Sequence, residues 1–195
     1  MQILMSIALF LSRLLEIYSF LIWIRIILSW VNRYPRTGSF SYYIARIVDP
    51  YLGLFRSSRA RIGMLDFSPI IAIGVLAVVQ TLLAVFGIYG YLTLGIILSQ
   101  IVIAFWSYGI SIFLFFTIIM LIMRLIASFS RNPGMYAASG QFSDPITEMV
   151  RKSFTKSIPK ESTVVLISLA INIALYFVLK RLFIILATLA MNIPF

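Results

Sequence analysis

Four long apolar stretches organise this chain. They run over about 3–31, 69–86, 98–127 and 164–187. From Phe67 through Met123 there is no Asp, Glu, Lys, Arg or His. A bilayer-spanning helix needs about 20 apolar residues, so this stretch alone has room for two. Gly87-Ile-Tyr-Gly90-Tyr91 separates them as a turn, with tyrosines suited to a membrane interface. The run before the third span exceeds one helix, and Thr93–Gln100 is expected to lie along the membrane surface first. Only Gln2 precedes the first apolar run, which is longer than the roughly 7–15 residues of a signal-peptide core. It reads as a retained span.

The two longer polar segments are themselves patterned. Phe40, Tyr43, Ile44 and Ile47 follow helical spacing around Arg46, and Leu52, Leu54 and Phe55 group against Arg56 and Arg59. Beyond Pro145, Met149, Val150 and Phe154 share a face opposed by Glu148, Arg151 and Lys152. A basic amphipathic helix beside a span is expected to lie in the headgroup plane; packing on the cytoplasmic end of the bundle is the alternative. In each segment Asp-Pro is read as a helix start, with Asp49 or Asp144 as N-cap and Pro50 or Pro145 at the first helical position. Asp66-Phe67-Ser68-Pro69 opens the second span in the same manner, with acid at the positive end of the helix dipole.

These features recur in order. Arg25-Ile-Ile-Leu-Ser29-Trp30 is echoed by Arg124-Leu-Ile-Ala-Ser128-Phe129. Asp49-Pro50 followed by Arg56 is echoed by Asp144-Pro145 followed by Arg151, and Asp66 and Ser68 fall on Glu161 and Thr163 at the same offset. The chain has six acidic residues in all, and two matched pairs account for four of them. The expected architecture is an all-α integral membrane fold of about four transmembrane helices. It is read as two parallel repeats, 1–95 with basic loop 33–66 and 96–195 with basic loop 128–162.

Composition supports that class. Hydrophobic residues make up 62% of the chain and charged ones 11%, against about a quarter charged in a soluble domain. The absence of Cys and His excludes a thiol nucleophile, a histidine- or cysteine-ligated zinc, an iron–sulfur cluster and a histidine-ligated haem. No cofactor and no metal site is expected. The net charge of +10 is assigned to loops facing anionic lipid headgroups, with no nucleic acid as partner. Arg33, Arg36, Arg46, Arg56, Arg59 and Arg61 lie in one loop, and Arg131, Arg151, Lys152, Lys156 and Lys160 in the other. The positive-inside rule puts both loops in the cytoplasm and both termini outside, in a cytoplasmic (inner) membrane, with Lys180 and Arg181 the exceptions.

The remaining polar groups at membrane depth are few. Arg13 and Glu16 share a face near the middle of the first span. Each costs on the order of 3 kcal/mol there, and pairing with the face turned toward the bundle makes them tolerable. The readings left open are a structural pair, a docking contact or part of an ion path; the second repeat has Ile112 and Phe115 in their place. Arg25 and Arg124 lie near the cytoplasmic ends of their spans. They either snorkel to the headgroups or bind the acid of their own loop, Asp49 or Asp144. Asn172 and Gln80 are expected to bond between helices. No nucleophile–base pair or phosphate-binding glycine loop is visible, so no enzyme is expected.

With those residues in place, the chain resembles the YggT family of small bacterial and plastid membrane proteins. The resemblance rests on Glu16-Ile-Tyr18, Arg25 with Ser29-Trp30, Asp49-Pro50-Tyr-Leu-Gly-Leu-Phe-Arg56 and Gly63-Met-Leu-Asp66-Phe67-Ser68-Pro69. It is closest along about 16–75. The second half keeps Arg124, Ser128, Asp144-Pro145 and Arg151, but has Lys160-Glu161-Ser162-Thr163-Val164 where Asp-Phe-Ser-Pro is expected. Both halves lack the proline that the family often has before the loop arginine. The resemblance implies a non-enzymatic membrane protein. The family has been linked to ion uptake after osmotic stress, to cell or plastid division and nucleoid organisation, and to plastid cytochrome assembly. The leading expectation is a membrane assembly or scaffold factor contacting anionic lipid or a protein partner, with homo-oligomerisation open. Its organising residues are Arg25, Asp49, Pro50, Arg56, Asp66, Arg124, Asp144, Pro145 and Arg151. The alternative is ion transport or osmotic-stress uptake through Arg13 and Glu16.

Overall fold

Long apolar runs without breakers give long helices, and among its described residues the computed structural model contains four that are long and apolar enough to cross a membrane: Gln2–Ser29, Ser68–Tyr89, Leu94–Ser130 and Glu161–Met191. It describes residues 1–31, 36–56, 61–62, 65–130, 133–154 and 160–193. Arg33, Arg59, Gly63, Met64, Arg131 and Lys156 lie outside the described residues, as do the side chains of Trp30 and Arg61.

The chain forms two compact units, one of Met1–Gly109 with Ile184–Phe195, the other of Ile110–Phe183. In the first unit, α1 (Gln2–Val31) packs along α3 (Ser68–Tyr89). Small residues let the two approach: Ala8 and Ser12 lie on the buried stripe of α1, and a Cβ built on Gly87 of α3 would stand 2.5 Å from Cγ of Leu9 and 3.0 Å from its backbone nitrogen. Gly90, at φ 76°, ends α3 in the left-handed conformation that favours glycine. Pro69 takes an early helical position, as expected, but Phe67 is the N-cap and makes no side-chain cap bond; Asp66, one residue upstream, accepts from the backbone N–H of Ser68 at 2.9 Å. Ahead of α3, the sequence pattern gave no hint of a two-residue antiparallel pairing of β1 (Arg61–Ile62) with β2 (Leu65–Asp66).

The first loop helix, α2 (Phe40–Phe55), begins well before Asp49-Pro50. The expected helix start is therefore corrected. Ser39 is the N-cap, accepting from the N–H of Tyr42 at 3.2 Å, and Pro50 sits inside the helix. The second loop helix, α6 (Pro133–Lys152), likewise contains Pro145 in its interior. An interior proline removes one helical hydrogen bond and costs about 3 kcal/mol, so both helices must be held by other contacts. For α2 those contacts are a core of Ile44, Val48 and Leu52 against Ile22 of α1 and Ala72, Ile73 and Leu76 of α3. Tyr51 adds a hydrogen bond to the carbonyl of Ala72 at 2.7 Å, and Tyr18 one to that of Ile47 at 3.2 Å. The expected apolar face of α2 divides accordingly. Ile44 points inward, whereas Phe40, Tyr43 and Ile47 are exposed.

The third span is longer than 98–127. Thr93 caps α4 (Leu94–Ala104), accepting from the N–H of Ile96 at 3.2 Å, so that 94–100 are the first turns of the helix. A π-helical turn at Phe105–Ile110 leads into α5 (Ser111–Ser130). In the second unit α5 packs on α6. It buries Leu114, Thr117, Leu121, Arg124 and Ala127, and α6 buries the small residues Ser139, Gly140, Ser143 and Thr147 together with Val150. The last helix, α7 (Glu161–Met191), contributes Val164, Val165, Ser168 and Asn172. The Asn172 side chain is buried, but among the described residues neither its amide oxygen nor its nitrogen has a bonded partner, in contrast to the expected interhelical bond.

Gly87→Ala places a methyl group where Leu9 stands and forces α1 from α3. Thermal unfolding of the detergent-solubilised protein is expected to show a loss of about 1–3 kcal/mol. An unchanged midpoint would show that the two helices separate freely there.

Candidate functional site

The site is built where spans end and loop helices begin. Two arginines, each one turn or more inside its span, are buried by the loop helix that follows. In the first unit Arg25 meets Asp49 of α2 side-on. Its Nε donates to Oδ1 at 2.7 Å and its Nη2 to Oδ2 at 3.0 Å. The paired planes of guanidinium and carboxylate give the strongest form of neutralising contact. Nη1 of Arg25 is buried and has no bonded partner among the described residues.

In the second unit the tie is larger. The Arg124 side chain is 4% exposed. Its Nε and Nη2 both donate to Oε1 of Glu161, at 3.1 and 2.8 Å, and Nη2 also reaches the Tyr136 hydroxyl at 2.6 Å. Nη1 donates to Ser143 Oγ at 2.9 Å and to Asp144 Oδ1. The guanidinium carbon stands 4.5 Å from the centroid of the Tyr136 ring. Tyr136 in turn donates to Oε1 of Glu161 at 2.7 Å, while Arg151 donates to Oε2. Burial, and then the hydrogen bond to Glu161, hold the Tyr136 phenol above its ordinary range against the opposing pull of Arg124. Two cations and two anions thus form a closed, neutral cluster drawn from α5, α6 and α7.

The two loop acids expected to meet the span arginines do so in both units. Arg56 and Pro50 are exposed, and Arg56 lies at the C-terminal end of α2. Asp66 serves the start of α3. Arg151 joins the cluster through Glu161, and Pro145 directly follows Asp144 within α6. Tyr136 and Ser143 escaped sequence reasoning. The available signal was the helical spacing of Tyr136, Ser139, Ser143 and Thr147, which marks a small-polar inward face for α6.

Arg13 and Glu16 are bonded to each other at 3.0 Å, but their side chains are 78% and 57% exposed. The expectation that they turn toward the bundle is corrected: the buried stripe of α1 passes through Ala8, Ser12, Ile22 and Arg25, and leaves both charges outside it. Small residues were needed on the inward face, and Arg13 and Glu16 do not fit the close approach to α3.

Exchanging the partners tests the first tie. Arg25→Asp and Asp49→Arg alone are each expected to cost about 3 kcal/mol in thermal unfolding, because each leaves a buried charge facing its like. Combined, they recover most of the loss. In the second unit Arg124→Lys keeps the charge but not the fork that serves four acceptor groups, Glu161, Tyr136, Ser143 and Asp144; a stability equal to wild type would mean that charge alone suffices.

Neither a curated protein nor a solved structure matches this chain. The CCB3/YggT family model matches residues 4–88, a stretch that contains α2, nearly all of α1 and α3, and the Arg25–Asp49 tie. Over residues 4–88 this chain is similar to the CCB3/YggT family.

Proposed function

We propose that the protein is a non-enzymatic membrane assembly or scaffold factor. Its loop helices present a basic, apolar surface to anionic lipid headgroups and to a protein partner on the cytoplasmic side of an inner membrane, with both termini on the other side. The observation that carries this reading is the outward face of α2. Phe40, Tyr43, Ile47 and Leu54 are exposed there although the opposite face already fills a core. Arg36, Arg46 and Arg56 are exposed beside them. Apolar groups interleaved with arginines suit the boundary between acyl chains and phosphates. On α6 Met149 and Lys152 are exposed, as is Phe154 just beyond its end.

The matching ties of Arg25 to Asp49 and Arg124 to Asp144 support reading the chain as two like modules, each pinning its loop helix to the end of a span. A pinned helix offers a fixed surface, which suits a docking role better than a gate. The position of Arg13 and Glu16 on the outer side of α1 lends no support to an ion path within that unit.

Each arginine near an anionic surface contributes about 1 kcal/mol. The full-length Arg36→Gln/Arg46→Gln/Arg56→Gln variant is therefore expected to lose about 3 kcal/mol of preference for anionic over zwitterionic lipid. Native mass spectrometry of lipids retained from mixed phosphatidylglycerol and phosphatidylcholine nanodiscs measures it. Undiminished retention of the anionic lipid would remove the lipid half of the reading.

A further inference from the structure

The outer face of α1 carries a second pattern. Ser6, Phe10, Arg13, Ile17 and Phe20 recur at alternating steps of four and three residues, and all are exposed. That is the spacing of a coiled-coil seam. Glu16 flanks it, bonded to Arg13 through one contact, Nη1 to Oε2 at 3.0 Å. A guanidinium has five N–H donors and a carboxylate accepts through both oxygens. Among the described residues no other partner engages either group.

The helix that carries the pair is long and apolar enough to cross a bilayer, and the pair lies near its middle. Lipid tails offer no hydrogen bonds, and a charge at that depth is costly. Headgroups lie roughly 15 Å away in a core about 30 Å thick, beyond the reach of a glutamate.

We infer that this face binds the same face of a second copy of the chain, with the two α1 helices side by side and parallel. The pair is its own complement under a two-fold axis along the membrane normal. Arg13 of each copy then stands across from Glu16 of the other, offset by about 4.5 Å at 1.5 Å per residue, a gap that the long arginine side chain bridges. Two donors and two acceptors alternate around a closed ring, leaving no net charge in the apolar layer. Phe10, Ile17 and Phe20 supply the packing on either side. The occupant must offer one acid and one base at matched depths. A second copy in the same orientation always does so, and isologous contacts of this kind are the commonest in homo-oligomers.

The chain lacks cysteine, so single introduced thiols report the contact directly. In native membranes, Phe10→Cys, Ile17→Cys and Phe20→Cys are expected to crosslink to a homodimer through a short bis-maleimide. Leu15→Cys, which packs against the core, is expected not to. Adding Arg13→Glu to Ile17→Cys should lower the dimer yield roughly tenfold. Co-expression of differently tagged Arg13→Glu and Glu16→Arg chains, both carrying Ile17→Cys, should restore a mixed dimer. The inference is overturned if the three outward thiols give only monomer, or an adduct with a protein of different mass. It is equally overturned if dimer yield is indifferent to reversing Arg13 while the mixed pair gains nothing. The thiol scan retains the native charges, so poor insertion of the reversed chains leaves that arm decisive.

Discussion

A buried arginine at the end of a membrane span has to be answered, and the answer determines where the following loop goes. Arg25 and Arg124 are both enclosed by protein. An uncompensated guanidinium in such a place would cost several kcal/mol. Snorkelling would satisfy it only if the side chain stayed outside the packing. Here a loop acid does the work instead, which brings α2 onto the end of α1 and α6 onto the end of α5. The loops are therefore packed layers, and their amphipathic character is spent twice: one face goes into the unit and another is left to the surroundings.

The same constraint explains the two interior prolines. Asp-Pro ordinarily marks the first turn of a helix, since aspartate caps the free N–H groups and proline has none to lose. In α2 and α6 the aspartate is engaged by an arginine from the preceding span, and a turn begins upstream from Ser39 or Pro133. The missing hydrogen bond at proline is tolerated because Val48 and Leu52, or Ser143 and Thr147, are already buried on either side. Local statistics and tertiary contact compete here, and contact prevails.

That competition sets what could be read from the residues alone. The spans were legible because nothing else accounts for an uncharged stretch from Phe67 to Met123. The acid partners of Arg25 and Arg124 were legible because acids are so scarce that few pairings exist. Helix starts in the loops were not, since Ser39 gives as good a cap as Asp49 and only the core contacts of Ile44 and Val48 decide between them. The face of α1 that carries Arg13 and Glu16 was misjudged for a similar reason. Cost in lipid argued for turning them inward, but close helix packing admits only small or apolar groups such as Ala8 and Ser12 beside Gly87.

The two kinds of charge in this chain consequently have opposite relations to their surroundings. Arg25 and Arg124 are each bound to a loop acid within their own units, and these ties pin the loop helices to their spans, although Nη1 of Arg25 has no bonded partner among the described residues. Arg13 and Glu16 are satisfied only in part by each other, and retain donors and an acceptor that hydrocarbon cannot meet. Where a polar group is fully engaged, its replacement changes stability. Where it is left half-engaged on an outer face, its replacement changes what the face will accept. The first class accounts for the fold of each unit. The second is where a membrane protein with nearly inert spans keeps its capacity for specific association.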